Sequence, residues 1–130
     1  MTPPRPFILR FFLWYIRRHL RRHFHAVRLL NGPPDIPLSQ PVIVCLNHAS
    51  WWDPLVGLHL SHALFPSREL YGPMDASQIR RFPILGKVGL FGIEPGTARG
   101  ARQLLHAAAT IFSRPGAALW LTPQGRFADV

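Results

Sequence analysis

A chain of 130 residues with 48% hydrophobic positions, nine Phe and four Trp can build one packed domain and is too apolar for a disordered tail. Its single cysteine, Cys45, excludes an internal disulfide and a disulfide-built scaffold. The formal charge of +9, with 14 arginines among 15 basic residues, points to an anionic partner: nucleic acid, an anionic membrane surface or a phosphorylated substrate.

Residues 7–30, "FILRFFLWYIRRHLRRHFHAVRLL", contain no Pro or Gly, and the segment reads as one amphipathic basic helix. Its uninterrupted apolar run, residues 11–16, is far shorter than the ~20 residues that span a bilayer. Positive charges follow the apolar part, the reverse of a signal peptide. Aromatic rings beside Arg10, Arg17, Arg18, Arg21 and Arg22 fit an interfacial helix, with rings at the acyl boundary and guanidinium groups on lipid phosphates. The competing reading is a helix packed on its own domain with a solvated basic end. No nucleic-acid-binding motif accompanies the charge, so no nucleic-acid partner is expected. His19 and His23 share a helix face, but flanking arginines repel a cation and no carboxylate lies close in sequence, so no metal is expected.

Residues 31–41, "NGPPDIPLSQP", are a Pro-rich break and linker. Residues 42–46, "VIVCL", are β-branched and apolar without alternation, the pattern of a strand buried on both faces, with Cys45 in the core. A helix then runs over 54–65, with Asp53 near its cap and Pro54 at its first position. Further along come a short strand and turn (68–73), a short helix opening on an Asp75 cap (75–82), and a strand over 89–95. The last elements are a helix over 96–114 with Thr97 as cap and a buried strand over 116–123. Leu104, Leu105, Ala108 and Phe112 fall on one face of that last helix. This alternation predicts an α/β domain over 42–130 with a mostly parallel central sheet and crossover helices. Loops after strands are where such sheets bind ligands, and both the His48 loop and the Gln124-Gly125-Arg126 loop follow strands.

His48, just past a strand, can meet Asp53 at the start of the next helix. The carboxylate would orient the imidazole and stabilise its protonated form, leaving the other nitrogen to take a proton from an alcohol. No Gly-x-Ser-x-Gly elbow is present, so the attacking group would be a hydroxyl of the substrate. Spacing alone equally fits a histidine that only hydrogen-bonds at a strand end.

Three blocks in order favour the first of these. Asn47-His48-x4-Asp53 after an apolar strand, "FPILGKVGLFGIEP" over 82–95 and "LWLTPQGRF" over 119–127 resemble the motifs of the glycerolipid acyltransferase family, the lysophosphatidic-acid-acyltransferase-like enzymes. The resemblance implies acyl transfer from acyl-CoA or acyl carrier protein to the hydroxyl of a lysophospholipid or another lipid alcohol, with no cofactor. It implies His48 as general base, Asp53 as its partner, and Asn47, Pro123, Gln124, Gly125 and Arg126 binding the acceptor. Arg126 offers a forked donor to phosphate oxygens, and Gly125 permits close backbone approach. It also implies association with anionic lipids at the cytoplasmic face of a membrane.

This sequence departs from the family in three places. Glu94 is followed by Pro95 where the second block has Arg, so Arg99 or Arg102 would have to compensate, unless both are ordinary exposed arginines. Gln124 stands where the third block has Glu, and Arg126 comes one position early. The fourth block falls beyond Val130, so the resemblance implies a domain whose C-terminal part is missing. A non-catalytic module that binds lipid surfaces is the alternative. Trp51 and Trp52 fit either a lipid-facing surface or helix packing. His59, His62 and His106 read as surface or core groups, and Lys87 as a loop residue with some reach to phosphate.

Overall fold

Four short strands form one sheet: β1 (Val42–Cys45), β2 (Glu69–Asp75), β3 (Leu90–Ile93) and β4 (Ala117–Leu121). They lie in the order β1-β4-β2-β3 and every pair is parallel. Helices α1 (Pro6–His23), α2 (Asp53–Leu64), α3 (Ala76–Arg81) and α4 (Ala98–Phe112) accompany them, with a 3-10 turn over Pro83–Val88. The computed structural model describes residues 3–48, 50 and 52–124. The fold is α/β, with a parallel sheet preceded by an N-terminal helix.

The strand order fixes where the helices go. The β1-to-β2 connection steps across the sheet in one direction and the β3-to-β4 connection steps back. Right-handed crossovers therefore place α2 and α4 on opposite faces. The core agrees. Tyr71, Ala117 and Leu119 pack with Ala108, Ile111 and Phe112 of α4. Val42, Leu70 and Ala118 pack with Leu58 of α2 and with Ile36 of the linker. Gly57 lets α2 settle on the second face: a Cβ there would stand 3.2 Å from Leu46 and 3.5 Å from the Trp120 ring. Outside α2 lies α1, which buries Leu13, Ile16 and Leu20.

Several boundaries differ from the sequence reading. The first helix stops at His23 rather than Leu30, because Phe24 turns extended and sets its ring edge-on to Trp52 at 4.9 Å. β1 is not buried on both faces: β4 inserts between it and β2, so β1 is an edge strand with Ile43 53% exposed. Cys45, expected in the core, is exposed for the same reason. On α4, Ala108 and Phe112 pack on the core as expected, with Ala107 and Ile111 more deeply buried, while Leu105 is 69% exposed. β2 runs through to Asp75, and the 3-10 turn before β3 had no counterpart in the sequence reading. Helix α2 starts one residue earlier than expected, with Trp52 at the cap and Asp53, not Pro54, at the first position, whereas the other two expected caps form. Asp75 accepts from the Ser77 N–H at 2.7 Å and Thr97 from the Gly100 N–H at 2.9 Å.

Arg68 ties the Pro-rich linker to this frame. Its guanidinium donates to the carbonyls of Ile36 (3.1 Å), Pro37 (2.8 Å) and Gln40 (2.6 Å), and the residue is only 8% exposed.

Candidate active site

Because all four strands are parallel, the segments leaving β1 and β4 emerge at the same edge, and these two strands are neighbours. The ladder continues one step further, with the Leu46 N–H donating to the Leu121 carbonyl at 2.8 Å. His48 follows at once. Its backbone N–H donates to Oε1 of Gln124, in the turn after β4, at 2.7 Å. The first and third sequence blocks thus meet.

The His48 ring lies 3.0 Å from Asp53, Nδ1 to Oδ2, with both side chains about one-fifth exposed (19% and 21%). An ionised carboxylate only accepts, so Nδ1 carries the proton and Nε2 is the basic nitrogen of the neutral ring. Asp53 is the first residue of α2, where the helix dipole favours a negative charge.

Ser50 holds Asp53 in place, a role the sequence reading missed. Its N–H donates to Asp53 Oδ2 at 2.8 Å, and its hydroxyl lies 3.4 Å from Oδ1. The same hydroxyl accepts from the Trp52 N–H at 3.2 Å. The signal was legible, since Ser50-x-x-Asp53 is the spacing of a capping box, in which the acid reaches back to the serine N–H.

Trp52 anchors this loop to α1. Its ring stacks with His19 at 5.2 Å and lies 5.0 Å from His23. Helix packing is therefore the observed role of Trp52. It brings the arginine-rich end of α1 next to the His48 loop. The outward side of α1 carries Phe7, Phe11, Trp14 and Tyr15 in its apolar part, all at least 50% exposed. Arg17, Arg18, Arg21 and Arg22 are exposed in its second half. Among the described residues no helix is long and apolar enough to cross a membrane.

The other predicted site residues divide clearly. Asn47 is exposed just beyond β1, and Pro123 is exposed in the turn with Gln124. Gly125, Arg126 and Trp51 lie outside the described residues. Arg99 pairs with Glu94 at 3.3 Å, near the end of β3, which is three strand positions from β1 and so about 14 Å away. Lys87 precedes β3, at the opposite edge of the sheet from His48, so it takes no part in this site. Among the described residues no group of three His, Cys, Asp or Glu could hold a metal.

No protein-family model, curated protein or solved structure matches this chain.

Proposed function

We propose that the chain is an acyltransferase of the glycerolipid type, working at an anionic membrane surface. The observation that carries this reading is the 3.0 Å contact between His48 Nδ1 and Asp53 Oδ2 at the sheet edge where β1 and β4 end. His48 Nε2 takes the proton of the acceptor hydroxyl as its oxygen attacks the carbonyl carbon of an acyl thioester. Asp53 stabilises the imidazolium so formed. When the tetrahedral intermediate collapses, the C–S bond breaks and the proton passes from Nε2 to the departing thiolate. The donor is acyl-CoA or acyl carrier protein, and the acceptor is a lysophospholipid or another lipid alcohol. Gln124 holds the His48 backbone, and the exposed Asn47 and Pro123 are assigned to acceptor binding.

The test is acyl transfer from radiolabelled acyl-CoA and acyl carrier protein to a panel of lysophospholipids and lipid alcohols, in membranes. Wild type is compared with His48→Ala. Transfer lost in a folded His48→Ala protein supports the reading, and a folded wild type inert toward the whole panel defeats it.

The exposed aromatic and arginine side chains of α1 favour a second reading, a module that binds lipid surfaces without chemistry. Binding to anionic vesicles undiminished in an inert wild type would favour it.

A further inference from the structure

Between the second half of α1, the segment that follows it and α2 lies a pocket of about 350 Å³, apart from the His48–Asp53 pair. Its ionisable lining groups are all basic: Arg17 and Arg21 of α1, His25, and His59 of α2. Leu20 and Phe24 supply an apolar wall. Among the described residues neither Arg17 nor Arg21 has a carboxylate partner.

We propose that this pocket binds a phosphate group, with the apolar substituent of that phosphate lying along Leu20 and Phe24. The volume falls within the range of small-molecule sites. Arg17 and Arg21, at i and i+4, are neighbours on one helix face and both line the pocket, and guanidinium groups match the oxygens of a phosphate. Among the described residues, the lining brings these basic groups together with no carboxylate paired to the arginines. His59 registers this: burial, then Arg17, then His62 and Arg21, push its ring below the usual imidazole range. Its Nδ1 is buried with no hydrogen-bond partner among the described residues. An anion in the pocket reverses the charge penalty and favours the imidazolium.

The pocket also adjoins the start of α2, where Asp53 lies. Phe24 forms part of its wall and packs on Trp52, the residue before Asp53. His59 sits six residues along α2 from Asp53, about 9 Å down the helix axis. A phosphate ester of a membrane lipid and a soluble phosphate ester share the chemistry this lining recognises.

The test is equilibrium binding of radiolabelled inorganic phosphate to the full chain, with imidazole NMR signals followed during the titration. The His59→Gln variant assigns the His59 signal and shows that the folded spectrum survives the change. Phosphate should move the His59 resonances saturably, while those of His106, on α4 across the sheet, stay in place. The double variant Arg17→Gln/Arg21→Gln should weaken phosphate binding at least tenfold. The double variant Arg18→Gln/Arg22→Gln removes the same charge outside this lining and should change it less than threefold. Equal losses in the two double variants, or a His59 signal indifferent to phosphate, would overturn the proposal. Phosphatidylglycerol vesicles that displace the bound phosphate, when phosphatidylcholine vesicles do not, assign the site to lipid headgroups. Phosphate binding indifferent to both assigns it to a soluble ester, and either result upholds the pocket. None of these readouts requires acyl transfer, so they stand apart from the reading of His48.

Discussion

The backbone N–H of His48 is bonded to the side chain of Gln124, 76 positions away in sequence, at 2.7 Å. This contact joins the loop after β1 to the turn after β4 and fixes where the His48 ring begins. A glutamate carries the same acceptor oxygen, so Gln124→Glu should keep acyl transfer within a few-fold of wild type. Gln124→Ala leaves the N–H to water and loses a bond of about 1 kcal/mol. It should lower the transfer rate about fivefold, with the melting temperature little changed. Equal rates for the two variants would show that Gln124 positions nothing.

Asp53 can be tested by tautomer rather than by size. In Asp53→Asn the side-chain amide can present either its oxygen or its NH2 group to Nδ1, so the ring is no longer held in the form with basic Nε2. It also no longer offsets the imidazolium. Transfer should fall about 10²- to 10⁴-fold, the usual weight of general acid–base catalysis. Ser50→Ala keeps the N–H bond to Asp53 and loses only the 3.4 Å hydroxyl contact and the bond from Trp52. Its effect should therefore be several-fold at most. Single-turnover rates of the two variants, beside circular dichroism, check this order.

The sheet and the His48–Asp53 pair were legible because both rest on local signals. Apolar runs ending in polar loops gave the strands, and a histidine five positions before an aspartate at a helix start closes a short loop. Apart from Ser50, whose spacing to Asp53 is a local signal, what escaped depended on tertiary order. Nothing local in "VIVC" reveals that β4 inserts beside β1 and leaves Ile43 and Cys45 exposed on an edge. The end of α1 at His23 was equally hidden, since residues 24–30 keep a helical composition. Phe24 leaves the helix to reach Trp52, a contact across the fold. Arg68 lay inside an apparent strand, and only the fold brings it to the linker. Gly125 and Arg126, on which the resemblance places acceptor binding, lie outside the described residues.

Arg68 should matter for stability out of proportion to its position before β2. Three linker carbonyls accept from its buried guanidinium. Arg68→Met keeps much of the side-chain volume and removes every donor. The loss of charged hydrogen bonds should cost about 2–3 kcal/mol. Arg68→Lys restores one point donor and should recover only part of it. Urea denaturation followed by tryptophan fluorescence measures both, and an Arg68→Met protein as stable as wild type would show that the linker is held by other contacts.

Tyr71 makes stability depend on alkaline pH. Its hydroxyl donates to Glu69 at 2.7 Å and accepts from Arg114 at 3.2 Å, beneath α4. Burial, then the bond to Glu69, pushes its pKa up to about 12 from the ordinary 10.0. The folded state therefore holds the phenol proton more tightly than the unfolded chain. That contribution is fully present below pH 10 and is lost as pH rises through 10 toward about 12. Tyr71→Phe removes the titrating group and its hydrogen bonds, costing about 1 kcal/mol at neutral pH. The variant should also show a shallower fall in stability across the alkaline window. Parallel slopes for wild type and Tyr71→Phe between pH 10 and 12 would mean that Tyr71 is not held as its bond to Glu69 requires.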